Sequence, residues 1–341
     1  MLRPTTPERG APHTNRDMRS PKEMLALVNT ALQQMPFERQ PQGLYEPVKY
    51  VLSLGGKRIR PVLMLMAYEL YKDDAEAIMP TAIGIETYHN YTLLHDDLMD
   101  RADVRRGKPC VHRKWDDNTA ILSGDTMLVM AYQLMARTKP QYLKAVMDTF
   151  TETALEIGEG QQYDMEFEQR TDVTAEEYIE MIRLKTSVLL ACALKIGAIQ
   201  ADAPTQDALL LYRFGERLGL AFQLQDDLLD VYGDFATFGK KIGGDILCNK
   251  KTYMLIQALN HATPAQRQEL TRWIEDKQPV PEEKIAAVTA LYNEIGVRGM
   301  AEAQISHYFD EALQSLESLA LPQERKEPLH ALALSLLNRQ S

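Results

Sequence analysis

The sequence predicts an all-α protein built as one large helical bundle, and three observations carry that prediction. Apolar residues recur at intervals of three and four along most of the chain. Neither "PKEMLALVNTALQQM" nor "RPVLMLMAYELY" alternates apolar and polar residues as a half-buried strand does. No Pro/Gly/Ser-rich linker divides the 341 residues. The composition, 45% hydrophobic and 25% charged, supplies a large core and is too apolar for general disorder.

The elements follow in chain order. Residues 1–20 mix Pro, Thr, Asn and Arg without a period and read as a flexible arm, ahead of a single helical domain over 21–341. "PKEMLALVNTALQQM" starts that domain, and "RPVLMLMAYELY" at 60–71 places proline in a first helical turn. A long helix is predicted through "AIGIETYHNYTLLHDDLMDRA", with others over about 117–137, 139–169, 174–198 and 204–232. "GDFATFGKKIGGD" is rich in glycine and polar residues and reads as a loop. Helices resume near 250 and continue through "EEKIAAVTALYNEIG", 300–318 and "EPLHALALSLLNRQ".

The net charge of -10, with no offsetting basic block, argues against nucleic acid as a partner. The three cysteines, Cys110, Cys192 and Cys248, fit neither a zinc nor a redox spacing. Apolar runs such as "SVLLACAL" are stopped by charge, here Lys195, so no transmembrane segment is expected. The N-terminus lacks the apolar core of a signal peptide, which makes the cytoplasm the expected compartment.

One pattern occurs twice: "HDDLMD" at 95–100 and "QDDLLD" at 225–230. On a helix, Asp96, Asp97 and Asp100 share roughly one face, as do Asp226, Asp227 and Asp230. Carboxylates so close repel one another unless cations neutralise them, and both sets sit in apolar helical sequence. An oxygen-only donor set favours magnesium over zinc. His95 beside the first cluster reads as a hydrogen-bonding residue of the bundle in preference to a metal ligand. Lys57, Arg58 and Arg60 in "GGKRIRP", with Arg105 and Arg106 in "ADVRRGKP", add cations that fork onto phosphate, and Gly55 and Gly56 admit close backbone approach. Acidic and basic sets together point to a diphosphate pocket.

On "GGKRIRP", "LLHDDLMDRADVRRGKP", "GQQYD" at 160–164, "KT" at 185–186, "FQLQDDLLD" and "GKKIGGD", the chain resembles the all-trans isoprenyl diphosphate synthases, the polyprenyl synthetase family. The resemblance implies a helical bundle of the isoprenoid synthase type with a central cavity, a homodimer, and three magnesium ions between the acidic motifs. It implies condensation of isopentenyl diphosphate with an allylic diphosphate of five, ten or fifteen carbons. By motif position, Asp96, Asp97, Asp100, Asp226 and Asp230 match its magnesium ligands, with Asp227 nearby and Gln161 and Asp164 supporting. Arg105, Lys185 and Lys240 match the allylic diphosphate clamp. Gly56, Lys57, Arg60, His89 and Arg106 match the isopentenyl diphosphate site. Thr186 and Gln223 match polar groups beside the reacting hydrocarbons, where their dipoles favour a transient carbocation.

Chain length is expected to be set by the cavity floor, since each added isoprene unit needs more apolar depth. Tyr91 lies five positions before Asp96, and Tyr88 lies one turn earlier. Tyr91 followed by the smaller Thr92 resembles a geranylgeranyl-producing arrangement, with farnesyl diphosphate as the alternative product. The first motif has the short DDLMD form, and the C-terminus "LLNRQS" carries only Arg339, unlike relatives with a more basic tail. A class I terpene cyclase and a non-catalytic partner subunit are the competing readings. The basic set for a second diphosphate argues against the first, and two intact acidic motifs argue against the second.

Overall fold

The structure, a computed structural model, describes residues 18–233 and 242–337. Lys240, Arg339 and residues 1–17 of the predicted arm lie outside the described residues.

Many helix starts are marked chemically. Ser20 and Glu23 form a reciprocal cap on α1 (Pro21–Gln33). Asp116 accepts from the Thr119 amide to start α6 (Asp117–Met135), and Thr174 with Glu177 caps α8 (Ala175–Ile182). Proline occupies the first turn of α7 (Pro140–Gln169), where its missing N–H costs nothing.

Around the centre stand α3 (Ile59–Glu69), α4 (Met79–Met99), α7, α9 (Val188–Gln200) and α10 (Thr205–Tyr232). α9, "VLLACALKIGAIQ", is buried on nearly every side, so its sequence is apolar without a polar stripe. It packs against α3, α7 and α10. Beyond α10 come α11 (Gly244–Leu247), α12 (Tyr253–His261), α13 (Pro264–Glu275), α14 (Pro281–Ile295), α15 (Val297–Glu317) and α16 (Gln323–Leu337). These enclose a second apolar cluster containing Leu224, Leu228, Tyr292 and Ile305. No helix among the described residues is long and apolar enough to cross a membrane.

Both acidic motifs fall in the last turns of their helices, α4 and α10. Carboxylates there oppose the helix dipole, a cost of about 0.3–1 kcal/mol each at exposed positions. That placement favours a positively charged ligand where the two helix ends meet.

Three features depart from the expected pattern. α2 (Gln42–Ser53), which contains Pro47, and the polar α13, with only Leu270 buried, carry too little helical signal to be read locally. A two-residue β-hairpin pairs β1 (Val104–Arg105) with β2 (Lys108–Pro109), Arg105 opposite Lys108. Its turn residues Arg106 and Gly107 both have positive φ, 53° and 72°, the signature of the tight hairpin turn. Between α8 and α9, where unbroken helix is expected, Arg183–Ser187 is a π-helical turn. Short α5 (Val111–Lys114) follows the hairpin.

Candidate active site

A cavity of about 1380 Å³ opens between the C-terminal ends of α4 and α10. Carboxylates line its mouth, and Tyr88, Tyr91, Ala154, Ile157, Leu189 and Phe222 line its apolar interior. Asp96, Asp97, Asp100, Asp226, Asp227 and Asp230 all border it, so residues 130 apart share one site.

The carboxylates differ in what already holds them. Arg105 forks onto Asp97 at 2.6–2.9 Å. Asp227 accepts from the Tyr178 hydroxyl and, at 3.3 Å, from Gln223 Nε2. Burial pushes its carboxyl up to about 7. Asp230 accepts the Asp245 amide at 2.9 Å. Asp96 meets Lys185 Nζ at 3.3 Å, and the same ammonium meets Asp164 at 2.6 Å. Partial burial and the neighbouring Asp96 push the Asp100 carboxyl above its usual range. Gln161 stands at this rim, its Nε2 3.9 Å from Met99 Sδ.

The π turn places Lys185 and Thr186 at the cavity wall. Two glycines give it room. A Cβ on Gly160 of α7 would lie 2.4 Å from the Lys185 amide nitrogen, and one on Gly219 of α10 would lie 2.7 Å from Ser187 Cα. Thr186 Oγ1 stands 3.5 Å from Gln223 Oε1 across the cavity wall.

Lys250 was not singled out by the sequence, yet it borders the cavity. Desolvation opposes its charge, but Asp245, Asp227, Asp164 and Asp96 outweigh that and hold the ammonium above its ordinary range. The only local signal was a lysine five residues after Asp245 in "DILCNKK".

The basic residues divide. Arg58, in the left-handed region at φ 47°, turns into the core, ion-paired with Glu86 at 2.6 Å and donating to the Leu52 carbonyl. Its guanidinium is thus committed to Glu86 and the backbone, although Arg58 still borders the cavity beside Lys57 and Arg60. Arg60 Nη1 lies 3.1 Å from His89 Nε2. Burial pulls Arg60 down to about 10, and burial with four nearby arginines holds His89 well below its usual range, hence neutral. Arg106 donates to the Gly55 carbonyl and lies over Gly56, where a Cβ would sit 2.9 Å from the guanidinium. Lys57, exposed, borders the same part of the cavity.

At the floor, Tyr91 is half-buried, its ring 5.5 Å from Tyr88. Tyr88 is buried against Phe150 at 5.1 Å and donates to the Ala154 carbonyl at 3.3 Å. Thr92 spends its hydroxyl on the His89 carbonyl. His95 Nε2 lies 3.2 Å from the Ile121 carbonyl, the bundle hydrogen bond expected of it.

The mouth suits magnesium in its chemistry: carboxylate oxygens from two helices gathered at one opening. Among the described residues no three metal-ligating side chains close on a single point. An ion held there would take part of its shell from phosphate and water oxygens, as magnesium commonly does.

The polyprenyl synthetase family profile matches residues 41–294. The geranylgeranyl diphosphate synthase of Methanosarcina mazei is 40% identical over 233 residues, 68% of this chain and 72% of that protein. The (2E,6E)-farnesyl diphosphate synthase of Mycobacterium tuberculosis is 34% identical over 289 residues, 84% of this chain and 80% of that one. A solved geranylgeranyl pyrophosphate synthase superposes with a TM-score of 0.90 at 43% identity, covering 95% of this chain and all of the other. The geranylgeranyl pyrophosphate synthase of Corynebacterium glutamicum, solved with isoprenyl diphosphate and magnesium, matches at 0.80 and 28%, covering 94% of this chain and 98% of that chain.

Proposed function

Because the chain belongs to the polyprenyl synthetase family, we infer that its cavity extends allylic diphosphates with isopentenyl diphosphate and stops at the C20 geranylgeranyl product. The underlying activity is that of a prenyl-transferring enzyme dependent on a divalent metal. The observation that carries the site assignment is one cavity with two chemically distinct anion ends. Two acidic helix ends with Lys185 form one, and Arg60, Arg106 and neutral His89 form the other.

Asp96 and Asp100 on α4, and Asp226 and Asp230 on α10, would hold the metal, with three ions as the expected number. Asp97 and Asp227 stand behind them, orienting Arg105 and Gln223. Bound magnesium supplies positive charge that neutralises the allylic diphosphate as it leaves. The chain's own groups do the rest. Arg105 and Lys185, joined by Lys250, would grip the allylic diphosphate, with Lys240, outside the described residues, assigned there by motif position alone, and Gly56, Lys57, Arg60, His89 and Arg106 would hold isopentenyl diphosphate. As the allylic carbon–oxygen bond breaks, the oxygens of Thr186 and Gln223 face the developing cation. Leu189, Phe222 and Ile157 exclude water from it. The isopentenyl double bond then forms the new carbon–carbon bond, and the departing diphosphate takes the proton that is lost. His89, neutral and beside Arg60, serves as a hydrogen-bonding group there and not as the base.

Incubating the purified protein with magnesium, isopentenyl diphosphate and separate C5, C10 and C15 starters, then weighing intact products, tests this reading. A dominant C20 product is expected from each starter. A C15 endpoint would overturn the product assignment, and no condensation with any starter would overturn the reaction itself.

Tyr91→Ala is expected to lengthen the product by one isoprene unit, because of the two tyrosines that line the cavity Tyr91 is the less buried, while Tyr88 is packed against Phe150. Product masses check it, and an unchanged distribution would place the floor at the Tyr88 layer instead.

A homodimer accompanies this reading. On α6, Leu122 and Val129 are 58% and 60% exposed, two turns apart on one face, and line a groove of about 590 Å³ with Leu44 and Met130. Exposed large apolar side chains so aligned suit a subunit contact. Val129→Glu is expected to convert a dimer to monomers by light scattering; a wild-type monomer at micromolar concentration would rule out the assignment.

A further inference from the structure

α14 stands behind the segment 242–252, away from the cavity that the segment borders. Two successive residues of the helix touch it. A Cβ on Gly243 would lie 2.7 Å from Ile285, and Lys284 Nζ donates to Asn249 Oδ1 at 2.7 Å. Lys284 is 1% exposed, and among the described residues no carboxylate lies within ion-pair distance of its ammonium. Burial accordingly pulls its pKa down. The pocket it lines also has Leu270, Val288 and Tyr292 in its wall, with Asp245, Asn249 and Lys250 beside them, and packing against the first three needs no ammonium. The ammonium therefore calls for a role beyond packing.

Its partner suggests the role. Asn249 is held at φ 53°, the left-handed region, and its carboxamide is oriented from both ends: Lys284 donates to the oxygen, and the nitrogen donates to the Ile274 carbonyl at 3.1 Å. The next residue is Lys250, whose amide donates to the Asp245 carbonyl at 3.0 Å and whose side chain enters the cavity. The direction of Lys250 thus follows from the backbone turn at Asn249.

We propose that Lys284 is a positioning residue for substrate binding: through the Asn249 carboxamide it fixes the turn that aims the Lys250 ammonium at the allylic diphosphate. This rests on the reading of Lys250 as a diphosphate-binding cation. The left-handed turn would otherwise relax, since asparagine visits it at some cost when its side chain is untethered.

The test is steady-state kinetics on the full chain with both substrates varied. Lys284→Met is expected to raise KM for the allylic diphosphate by about tenfold, the scale of one weakened charge-assisted phosphate contact, while KM for isopentenyl diphosphate stays within about twofold. Asn249→Gly, which permits the left-handed backbone but lacks the carboxamide that fixes it, is expected to raise the same KM and serves if Lys284→Met folds poorly. In a Lys250→Met background, Lys284→Met should add nothing. A merely structural lysine would lower the melting temperature, move both KM values or neither, and add fully to Lys250→Met; that pattern overturns the proposal. If Lys250→Met itself leaves the allylic KM unchanged, the reading of Lys250 fails and the proposal with it. If Lys250→Met raises that KM while Lys284→Met and Asn249→Gly do not, the proposal alone fails.

Discussion

Asp226→Ala is expected to lower kcat for condensation by about a thousandfold, the scale of removing one centre of charge stabilisation from a preorganised site. The three carboxylates on α10 are not equivalent. Asp227 is buried and tied to Tyr178 and Gln223, Asp230 is buried and accepts the Asp245 amide, and Asp226 is the half-buried member of the three on the cavity wall. Its loss removes a metal ligand without opening a core cavity. It also removes one of three like charges near the end of a helix. The magnesium concentration for half-maximal rate should increase, and excess magnesium should recover part of the loss. Rate measurements across a magnesium titration check both effects. A variant that keeps wild-type rates at low magnesium would remove Asp226 from the metal site and weaken the reading of α10 as the second acidic face.

Gly160→Ala is the second large effect, and it acts without touching a charged group. The added Cβ would lie 2.4 Å from the Lys185 nitrogen and 2.8 Å from the Leu184 carbonyl carbon. Both are backbone atoms, so no side chain can swing aside, and either α7 or the π turn must shift. A displacement near 1 Å of groups that face the reacting carbon costs about a hundredfold in rate. Overpacking of this kind typically destabilises by about 1–3 kcal/mol. The isopentenyl side is built on other residues, on α3, the part of α4 before its acidic turn and the hairpin. The expected outcome is therefore a hundredfold lower kcat with KM for isopentenyl diphosphate little changed. Kinetics on protein shown to be folded by circular dichroism checks it. An unperturbed kcat would mean that the π turn has slack and that Lys185 and Thr186 need no such exact placement.

Much of the site was legible before any coordinates. The two acidic sextets, the basic runs and the KT pair occupy the cavity wall, and the long helices carrying them run close to the expected bounds. Such features are local. Helical periodicity repeats within a window of 11–18 residues, and clustered like charge in apolar sequence signals a missing counter-charge whatever the fold.

What only the tertiary structure decided depends on where distant segments press together. Arg58 and Arg60 are neighbours in one basic run, yet Arg58 goes into the core because Glu86, 28 residues on, offers a buried carboxylate. Asp97 and Asp96 are adjacent, but the hairpin delivers Arg105 to only one of them. The π turn exists where Gly160 and Gly219 let α7 and α10 close on it, and neither glycine is near it in sequence. Lys250 joins the site because a left-handed Asn249, held from α14, turns the chain toward the carboxylates. Which groups carry the chemistry is set by residue type and spacing along one helix. Which way each points is set by contacts between residues tens of positions apart, and those contacts exist only once the helices have packed.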